Sequence, residues 1–113
     1  MARISYVEMP VQAVGKARDF YANAFGWSFT DFGPDYAATT SGDVDVGLNG
    51  STDHAIAQLL PIVEVLDLEA ALDRVVAAGG EITVPIFAFP GGRRFHFRDP
   101  AGNHLGVFVN ESA

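Results

Sequence analysis

The chain has 113 residues, of which 49% are hydrophobic and 19% charged, so it can bury the core of one domain and is too apolar for disorder. Its formal net charge of −7 excludes nucleic acid and an anionic membrane as favoured partners, because like charges repel. The lack of cysteine excludes disulfides, thiolate catalysis and cysteine-ligated zinc. No apolar run reaches about 18 residues and the first residues lack a signal-peptide core, which predicts a soluble cytoplasmic protein.

The first half of the chain combines strand-like patterns with one helical pattern. Val14, Ala17 and Tyr21 follow the spacing of a helix face, and Gly26 stands where helices commonly end in a glycine. Polar turn residues separate the strand-like runs. The predicted elements are a strand over 3–11, a helix over 14–25, and strands over 27–32, 36–40 and 44–48.

After a polar linker over 49–54, the same order of patterns begins again. Asp67 is placed to cap the N-terminus of a second helix, which Gly79-Gly80 ends. The apolar stripe of this helix consists of Leu68, Ala71, Leu72, Val75 and Val76. The predicted strands of this half cover 57–66, 81–84, 93–98 and 104–109, with a loop over 85–92.

The two halves also match at the residue level, which indicates an internal duplication. The matching pairs are Ala17…Phe25-Gly26 with Ala70…Ala78-Gly79, and Ser41-Gly42-Asp43 with Ala101-Gly102-Asn103. We therefore predict a single α+β domain over 1–113, built of one module over about 3–50 and a second over about 55–110. The chief alternative is a ferredoxin-like βαββαβ domain, which has fewer strands after each helix.

Three motifs in this order carry a family resemblance: Phe20-Tyr21…Phe25-Gly26-Trp27, Ala77-Ala78-Gly79-Gly80 and Arg98-Asp99-Pro100-Ala101-Gly102-Asn103. With them, nearly the whole chain resembles the glyoxalase, bleomycin-resistance and extradiol-dioxygenase superfamily, also called the vicinal oxygen chelate (VOC) superfamily. The resemblance implies two tandem βαβββ modules whose curved mixed sheets surround a cavity. It also implies that metal-using members take a histidine from the first strand and a glutamate from the last strand of each module.

The positions that match these metal ligands do not carry suitable donors. They are Tyr6, Leu60, Gly106 and either Val46 or Asp45. Tyrosine is an uncommon ligand, leucine and glycine offer no donor, and a single aspartate does not make a site. We therefore expect no metal and no other cofactor.

A hairpin near the C-terminus supplies a second candidate site. Pairing across the turn at 99–103 sets Arg98 opposite His104 and His96 opposite Gly106, with Arg94 on the same face. One interpretation is a polar cluster that binds an anionic or carbonyl-bearing ligand, or that uses a histidine as general base. The other is two part-exposed histidines near a hairpin end.

Two glutamates occupy equivalent places in the two modules. Glu8 and Glu64 act as bases if they lie in an apolar cleft, and are plain surface charges if they lie at strand ends in water. The surface interpretation is the favoured one. Glu64 completes a candidate catalytic set with His96 and His104, and these three are also a conceivable metal set that lacks the family spacing.

The aromatic residues indicate how a ligand is held. Phe20, Tyr21 and Phe25 are expected in the core, as are Phe95 and Phe97. The remaining aromatics, Tyr6, Trp27, Phe29, Tyr36, Phe87, Phe89 and Phe108, are available for a cavity or a dimer interface, and the segment 86–92 is a candidate lid or subunit contact. The predicted ligand-binding set is Tyr6, Trp27, Tyr36, Leu60, Phe87, Phe89, Arg94, His96, His104 and Phe108.

Together these features predict a metal-independent protein that binds a small aromatic or hydrophobic molecule in the sheet cavity, and that forms a homodimer. Two alternatives stay open. One is a glyoxalase-like lyase, isomerase or dioxygenase that uses a metal with His96 and His104. The other is a non-catalytic dimer with a vestigial cavity.

Overall fold

A computed structural model describes residues 2–51 and 58–111. Its elements in chain order are β1 (Arg3–Pro10), α1 (Val14–Phe25), β2 (Phe29–Asp31), β3 (Tyr36–Thr39), β4 (Asp45–Asn49), β5 (Leu60–Val65), α2 (Leu68–Ala77), β6 (Glu81–Phe89), β7 (Gly92–Arg98) and β8 (His104–Asn110). Contacts divide the chain into an N-terminal unit, Tyr6–Leu60, and a C-terminal unit, Met1–Ser5 with Pro61–Ala113. Residues 52–54 of the predicted linker and residue 57 of the predicted strand over 57–66 lie outside the described ranges.

The N-terminal unit contains a four-stranded mixed arrangement in the order β2-β3-β4-β1. β1 runs parallel to β4, with Tyr6 beside Asp45 and Glu8 beside Gly47. β3 is antiparallel to both β4 and β2. The parallel pair needs a long crossover, which α1 and the two following strands supply.

The core of the N-terminal unit lies between α1 and one face of these strands. Val14 of the helix packs with Ala37 and Leu48, and Met9, Val11, Ala17, Tyr21, Phe29 and Val46 surround them. Phe29, expected at a cavity or interface, is therefore a partly buried core residue.

The prediction that Phe20 and Phe25 are core residues is wrong, since they are 61% and 62% exposed. Helix α1 meets the strands through Val14, Ala17 and Tyr21. Phe20 comes one residue before Tyr21, about 100° away around the helix. Phe25 lies in the last turn, where its ring is 5.2 Å from that of Trp27.

The C-terminal unit repeats the same strand order as β5-β8-β7-β6, with β5 parallel to β8 and the other pairs antiparallel. The predicted loop over 85–92 is wrong, whereas the role of 86–92 as a lid or a subunit contact stays a prediction. β6 continues to Phe89, where it pairs with Gly92, and a two-residue turn over 90–91 closes the hairpin. Pro85 is tolerated because β6 ends the strand order of this unit and because the proline lies within a register shift between Val84 and Phe87. A missing N–H costs least at such positions.

The core of the C-terminal unit lies between α2 and the face that carries Phe95 and Val107. Leu68, Phe95, Val107 and Val109 are buried there, and Ala71, Leu72, Val75 and Phe97 pack against them. Phe95 and Phe97 are thus core residues as predicted. Val76, the last member of the predicted stripe, is 52% exposed.

The helix ends and the turn that were predicted from local sequence are present. Gly26 ends α1 with a φ of 72°, and the Asp67 carboxylate accepts a hydrogen bond from the Ala70 N–H at 3.0 Å. Asp99 closes the β7–β8 turn by accepting from the N–H groups of Ala101 and Asn103, both at 2.9 Å. In each unit one helix precedes three strands, so the α+β prediction of two βαβββ modules is confirmed and the ferredoxin-like alternative is excluded. Within the described ranges, neither helix is long and apolar enough to cross a membrane.

Candidate functional site

The side of the C-terminal sheet opposite α2 carries a row of chemically distinct side chains. Strand register sets Glu64 beside Phe108, Phe108 beside Arg94, and Arg94 beside Phe87. Because side chains alternate along a strand, these residues lie on the face opposite the one that carries Phe95 and Val107. We call Glu64, Phe108, Arg94 and Phe87, with the neighbouring Phe89, the aromatic–arginine row.

Two phenylalanine rings hold the guanidinium of Arg94 within this row. Its Cζ atom lies 5.3 Å from the ring centroid of Phe87 and 5.6 Å from that of Phe89, distances at which a cation is attracted to an aromatic face. Phe89 also meets Phe108 edge-on at 6.3 Å. The arginine is buried and the three rings are half-buried. The row therefore brings together four of the predicted ligand-binding residues.

His96 lies one step along β7 and is 2% exposed, so it is not one of a pair of part-exposed histidines. Its ring meets Phe87 at a steep angle with centroids 5.8 Å apart. It pairs across the strands with Gly106, as predicted, and a Cβ at 106 would be 3.5 Å from the His96 ring. The imidazole thus lies against the position that the resemblance matches to a metal-ligating glutamate.

His104 belongs to a different group at the far end of the hairpin. It pairs with Arg98, and its Nε2 lies 3.4 Å from an Arg98 nitrogen. Arg98 in turn donates to Glu81 at 3.1 Å. Strand register places Glu64, His96 and His104 on the same face, but in three successive lines of paired residues across the strands. No group of three metal-type ligands occurs among residues 2–51 and 58–111.

The N-terminal unit carries a hydrogen-bonded cluster on the face of β1, β3 and β4 opposite α1. Tyr6 and Tyr36 share a hydrogen bond of 2.6 Å, and the Tyr36 hydroxyl lies 3.1 Å from a Glu8 carboxylate oxygen to which it donates. The Asn49 amide donates to the other oxygen of Glu8 at 3.3 Å. Gly47 lies beneath both tyrosine hydroxyls. We call these five residues the tyrosine–glutamate cluster.

Burial changes the chemistry of this cluster. Glu8 is 7% exposed, so the prediction of a surface charge is wrong for it, whereas Glu64 is half-buried. Burial, and then the nearby charge of Glu8, raises the pKa of Tyr36 well above its ordinary value. Tyr36 therefore keeps its proton, and stays a hydrogen-bond donor, beyond the pH at which an ordinary tyrosine ionises.

The positions expected to hold metal ligands do not fit a metal. Tyr6 is engaged by Tyr36, and Leu60 is 1% exposed without a donor atom. Both oxygens of Asp45 accept hydrogen bonds from the β3–β4 turn. Gly106 has no side chain, and His96 fills the space beside it. These positions offer a divalent ion no histidine and one carboxylate, whose two oxygens already accept hydrogen bonds.

Trp27, another predicted ligand-binding residue, lines a pocket in the N-terminal unit on the side of α1. The pocket measures about 360 Å³ and is formed by the α1–β2 connection and the β3–β4 hairpin. Neither this pocket nor the tyrosine–glutamate cluster was predicted from the sequence. The shared face of Tyr6 and Glu8 was visible in the alternation of β1, but their partners are about 30 to 40 residues away in sequence.

A family model described as the Glyoxalase/Bleomycin resistance protein/Dioxygenase superfamily matches residues 3–107. The chain belongs to this superfamily. The resemblance carried by the three sequence motifs is therefore confirmed.

Among the curated relatives of this superfamily member are two proteins named "Putative glyoxylase CFP32", from Mycobacterium bovis and Mycobacterium tuberculosis. Each is 28% identical to the chain over 122 residues. The alignment covers 92% of this chain and 44% of the relative. The chain thus spans less than half the length of these curated relatives.

Solved structures share the fold at lower identity. Methylmalonyl-CoA epimerase from Mycobacterium tuberculosis has a TM-score of 0.75 and 14% identity, covering 95% of this chain and 87% of that one. The Mn(II)-bound glyoxalase from Novosphingobium aromaticivorans has a TM-score of 0.70 and 20% identity, covering 99% of this chain and 41% of that one. At these identities the likeness concerns the fold alone.

Proposed function

We propose that this chain is a metal-independent member of the superfamily that binds a small aromatic molecule carrying a carboxylate or carbonyl group. The observation that carries the proposal is the aromatic–arginine row, in which one guanidinium lies against two phenylalanine rings on a single sheet face. Pockets for flat organic molecules combine such rings with a few polar groups that orient the ligand.

The row supplies the two elements of recognition that such a ligand needs. Phe87, Phe89 and Phe108 offer aromatic surface for stacking, which contributes about 0.5–1.5 kcal/mol per well-placed ring pair beyond area burial. Arg94 offers a hydrogen bond to a charged or polar oxygen, and such bonds to charged groups contribute about 1.5–3 kcal/mol. Because the two rings already position the guanidinium, less side-chain entropy is lost on binding.

Metal independence rests on the family positions themselves. Tyr6, Leu60 and Gly106 stand where metal-using members carry ligands, and Asp45 is occupied by hydrogen bonds from its own turn. The alternative of a metal enzyme using His96 and His104 receives no support from their register, which sets them in different rows. The homodimer and the cytoplasmic location stay predictions.

The proposal is tested by titrating chelator-treated protein with phenylacetate. Binding is measured by calorimetry or by the NMR chemical shifts of backbone amides. The key variant is Arg94→Met, which keeps the aliphatic stem and removes the charge. Arg98→Met is the matched control, since Arg98 is on the same strand and the same face but belongs to the exposed group with Glu81 and His104.

We expect saturable binding of phenylacetate that shifts amides of β6, β7 and β8. Arg94→Met should weaken it at least about tenfold, equivalent to about 1.4 kcal/mol, and Arg98→Met less than about twofold. The neutral 2-phenylethanol should bind more weakly than phenylacetate. Equal effects of the two arginine variants, or no saturable binding of either compound by the folded protein, would overturn the proposal.

A further inference from the structure

The pocket of the N-terminal unit shares no lining residue with the aromatic–arginine row and has its own chemistry. It measures about 360 Å³, within the lower range of small-molecule sites. One indole, two valines and four hydroxyl side chains line it: Trp27, Ser28, Thr39, Thr40, Ser41, Val44 and Val46. Trp27 is stacked on Tyr21 with ring centroids 5.4 Å apart, which fixes the indole at the pocket wall.

Asp45 determines which way two of the hydroxyls point. The hydroxyls of Thr39 and Ser41 both donate to its Oδ1 atom at 2.7 Å. The N–H of Val46 donates to the Thr39 hydroxyl at 3.0 Å, and the N–H of Asp43 donates to the Ser41 hydroxyl at 3.2 Å. A hydroxyl has one proton and two lone pairs, so each of these oxygens keeps one lone pair for a ligand. They can serve only as hydrogen-bond acceptors.

The charge near the pocket is negative. Burial by itself would raise the pKa of Asp45, but the hydrogen bonds from Ser41, Thr39 and Gly42 outweigh it and hold that pKa below its ordinary value. Asp45 is therefore ionised at neutral pH. The pocket lining, as the structure describes it, includes no lysine or arginine. An anionic ligand would meet a carboxylate and acceptor oxygens without a balancing cation.

We propose that this pocket binds a small primary ammonium ion with an attached aromatic or alkyl group. An ammonium has three N–H donors to match the oriented acceptor oxygens, and its charge suits both the Asp45 field and the face of an indole. The valines accommodate the apolar part. The volume of the pocket limits that part to about one ring, by comparison with the larger sites that hold drug-sized ligands.

The single tryptophan gives a direct test, because Trp27 is the chain's one indole and lines the pocket. Tryptophan emission is recorded while three compounds with the same ring are added: phenethylamine, 2-phenylethanol and phenylacetate. We expect a saturable change with phenethylamine that weakens as salt is added, a weaker one with 2-phenylethanol and none with phenylacetate. No saturable change with phenethylamine up to about 10 mM, or an equal response to phenylacetate, would overturn the proposal.

A matched pair of variants locates the response. Val44→Phe fills the pocket from a residue that is 50% exposed, and Val76→Phe makes the same change at a 52% exposed position on α2. We expect Val44→Phe to weaken phenethylamine binding at least about tenfold and Val76→Phe to leave it within about twofold. Asp45→Asn, in chains that remain folded by circular dichroism, should also weaken it and reduce its salt dependence. Equal binding by the two valine variants contradicts the assignment of the ligand to this pocket.

Discussion

The hydroxyl oxygens of Tyr6 and Tyr36 lie 2.6 Å apart, directly above the α-carbon of Gly47. A Cβ at position 47 would overlap both hydroxyl oxygens and lie 2.8 Å from Cζ of Tyr36. The glycine is therefore a steric requirement of the tyrosine–glutamate cluster, and not of a turn. Neither tyrosine can move away without losing a hydrogen bond in a part-buried site.

The first prediction concerns this close approach. Gly47→Ala should lower the free energy of unfolding by about 1–3 kcal/mol, the usual cost of overpacking. Gly15→Ala is the control, since its Cβ would meet an arginine end at 3.7 Å in a helix, where alanine gains up to about 1 kcal/mol. Urea denaturation measures both. Equal stability of Gly47→Ala and the parent chain would show that the cluster is looser than its geometry indicates.

The raised pKa of Tyr36 predicts a loss of stability in alkali. In the unfolded chain the phenol ionises near its ordinary pKa of about 10, whereas in the folded chain it keeps its proton. Above that pH the unfolded state binds fewer protons, so the contribution of Tyr36 is fully present below pH 10 and is lost as the pH rises. Phenolate absorbance should show one of the three tyrosines ionising only on unfolding.

Tyr36→Phe provides the comparison for this titration. The variant should lose the late-ionising phenol and show a shallower decline of stability above pH 10. It should also be less stable at neutral pH by about 1–3 kcal/mol, because the buried Glu8 loses a donor. Early ionisation of all three phenols in the folded parent chain would contradict the burial of Tyr36.

Two phenylalanines test the position of the cores. Phe95 is fully buried between β7 and α2, so Phe95→Ala should cost about 3–5 kcal/mol of unfolding free energy. Phe20 is largely exposed and touches Tyr21 edge-on, so Phe20→Ala should cost less than about 1 kcal/mol. Thermal and urea unfolding of the two variants side by side measure the difference. A large loss with Phe20→Ala would mean that a further surface covers this part of α1.

Chelation should leave the protein unchanged. A divalent ion at 100 times its Kd would add about 2.7 kcal/mol of stability, which raises the Tm of a domain this size by several degrees. We expect no such shift on adding Mn²⁺ or Zn²⁺ and no loss of phenylacetate binding after EDTA. Elemental analysis of protein purified without chelator is the independent check. A stoichiometric metal would contradict metal independence.

Local chemistry could be predicted from the sequence wherever neighbours along the chain decide it. The cap at Asp67, the glycine that ends α1 and the turn at Asp99 all depend on residues within four positions. The register of β7 with β8 followed from the short turn between them, so the opposition of His96 and Gly106 was also predictable.

Features that depend on distant partners were not predictable. The buried Glu8 accepts hydrogen bonds from Tyr36 and Asn49, which are 28 and 41 residues further on, and the parallel register of β1 with β4 brings Asn49 close to it. Phe25 has the spacing of a core residue, but it is 62% exposed and its ring lies beside that of Trp27, outside the core that Val14 forms with the strands. Pro85 indicated a loop because its place on an outer strand was unknown. Hydrophobic periodicity shows which residues share one face of a helix or strand, but it does not show what packs against that face.

The contact of His96 with Gly106 limits how this chain could regain a metal ligand. Alanine fits at 106, since its Cβ would meet Ile62 and His96 at 3.4 and 3.5 Å. A glutamate needs room for four further heavy atoms in a place where the imidazole is already buried. Replacement of the glycine alone would cost stability before it supplied a useful donor. We therefore expect the effect of a glutamate at 106 to depend on the residues at 96 and 62, so that a smaller side chain at one of them has to come first or at the same time.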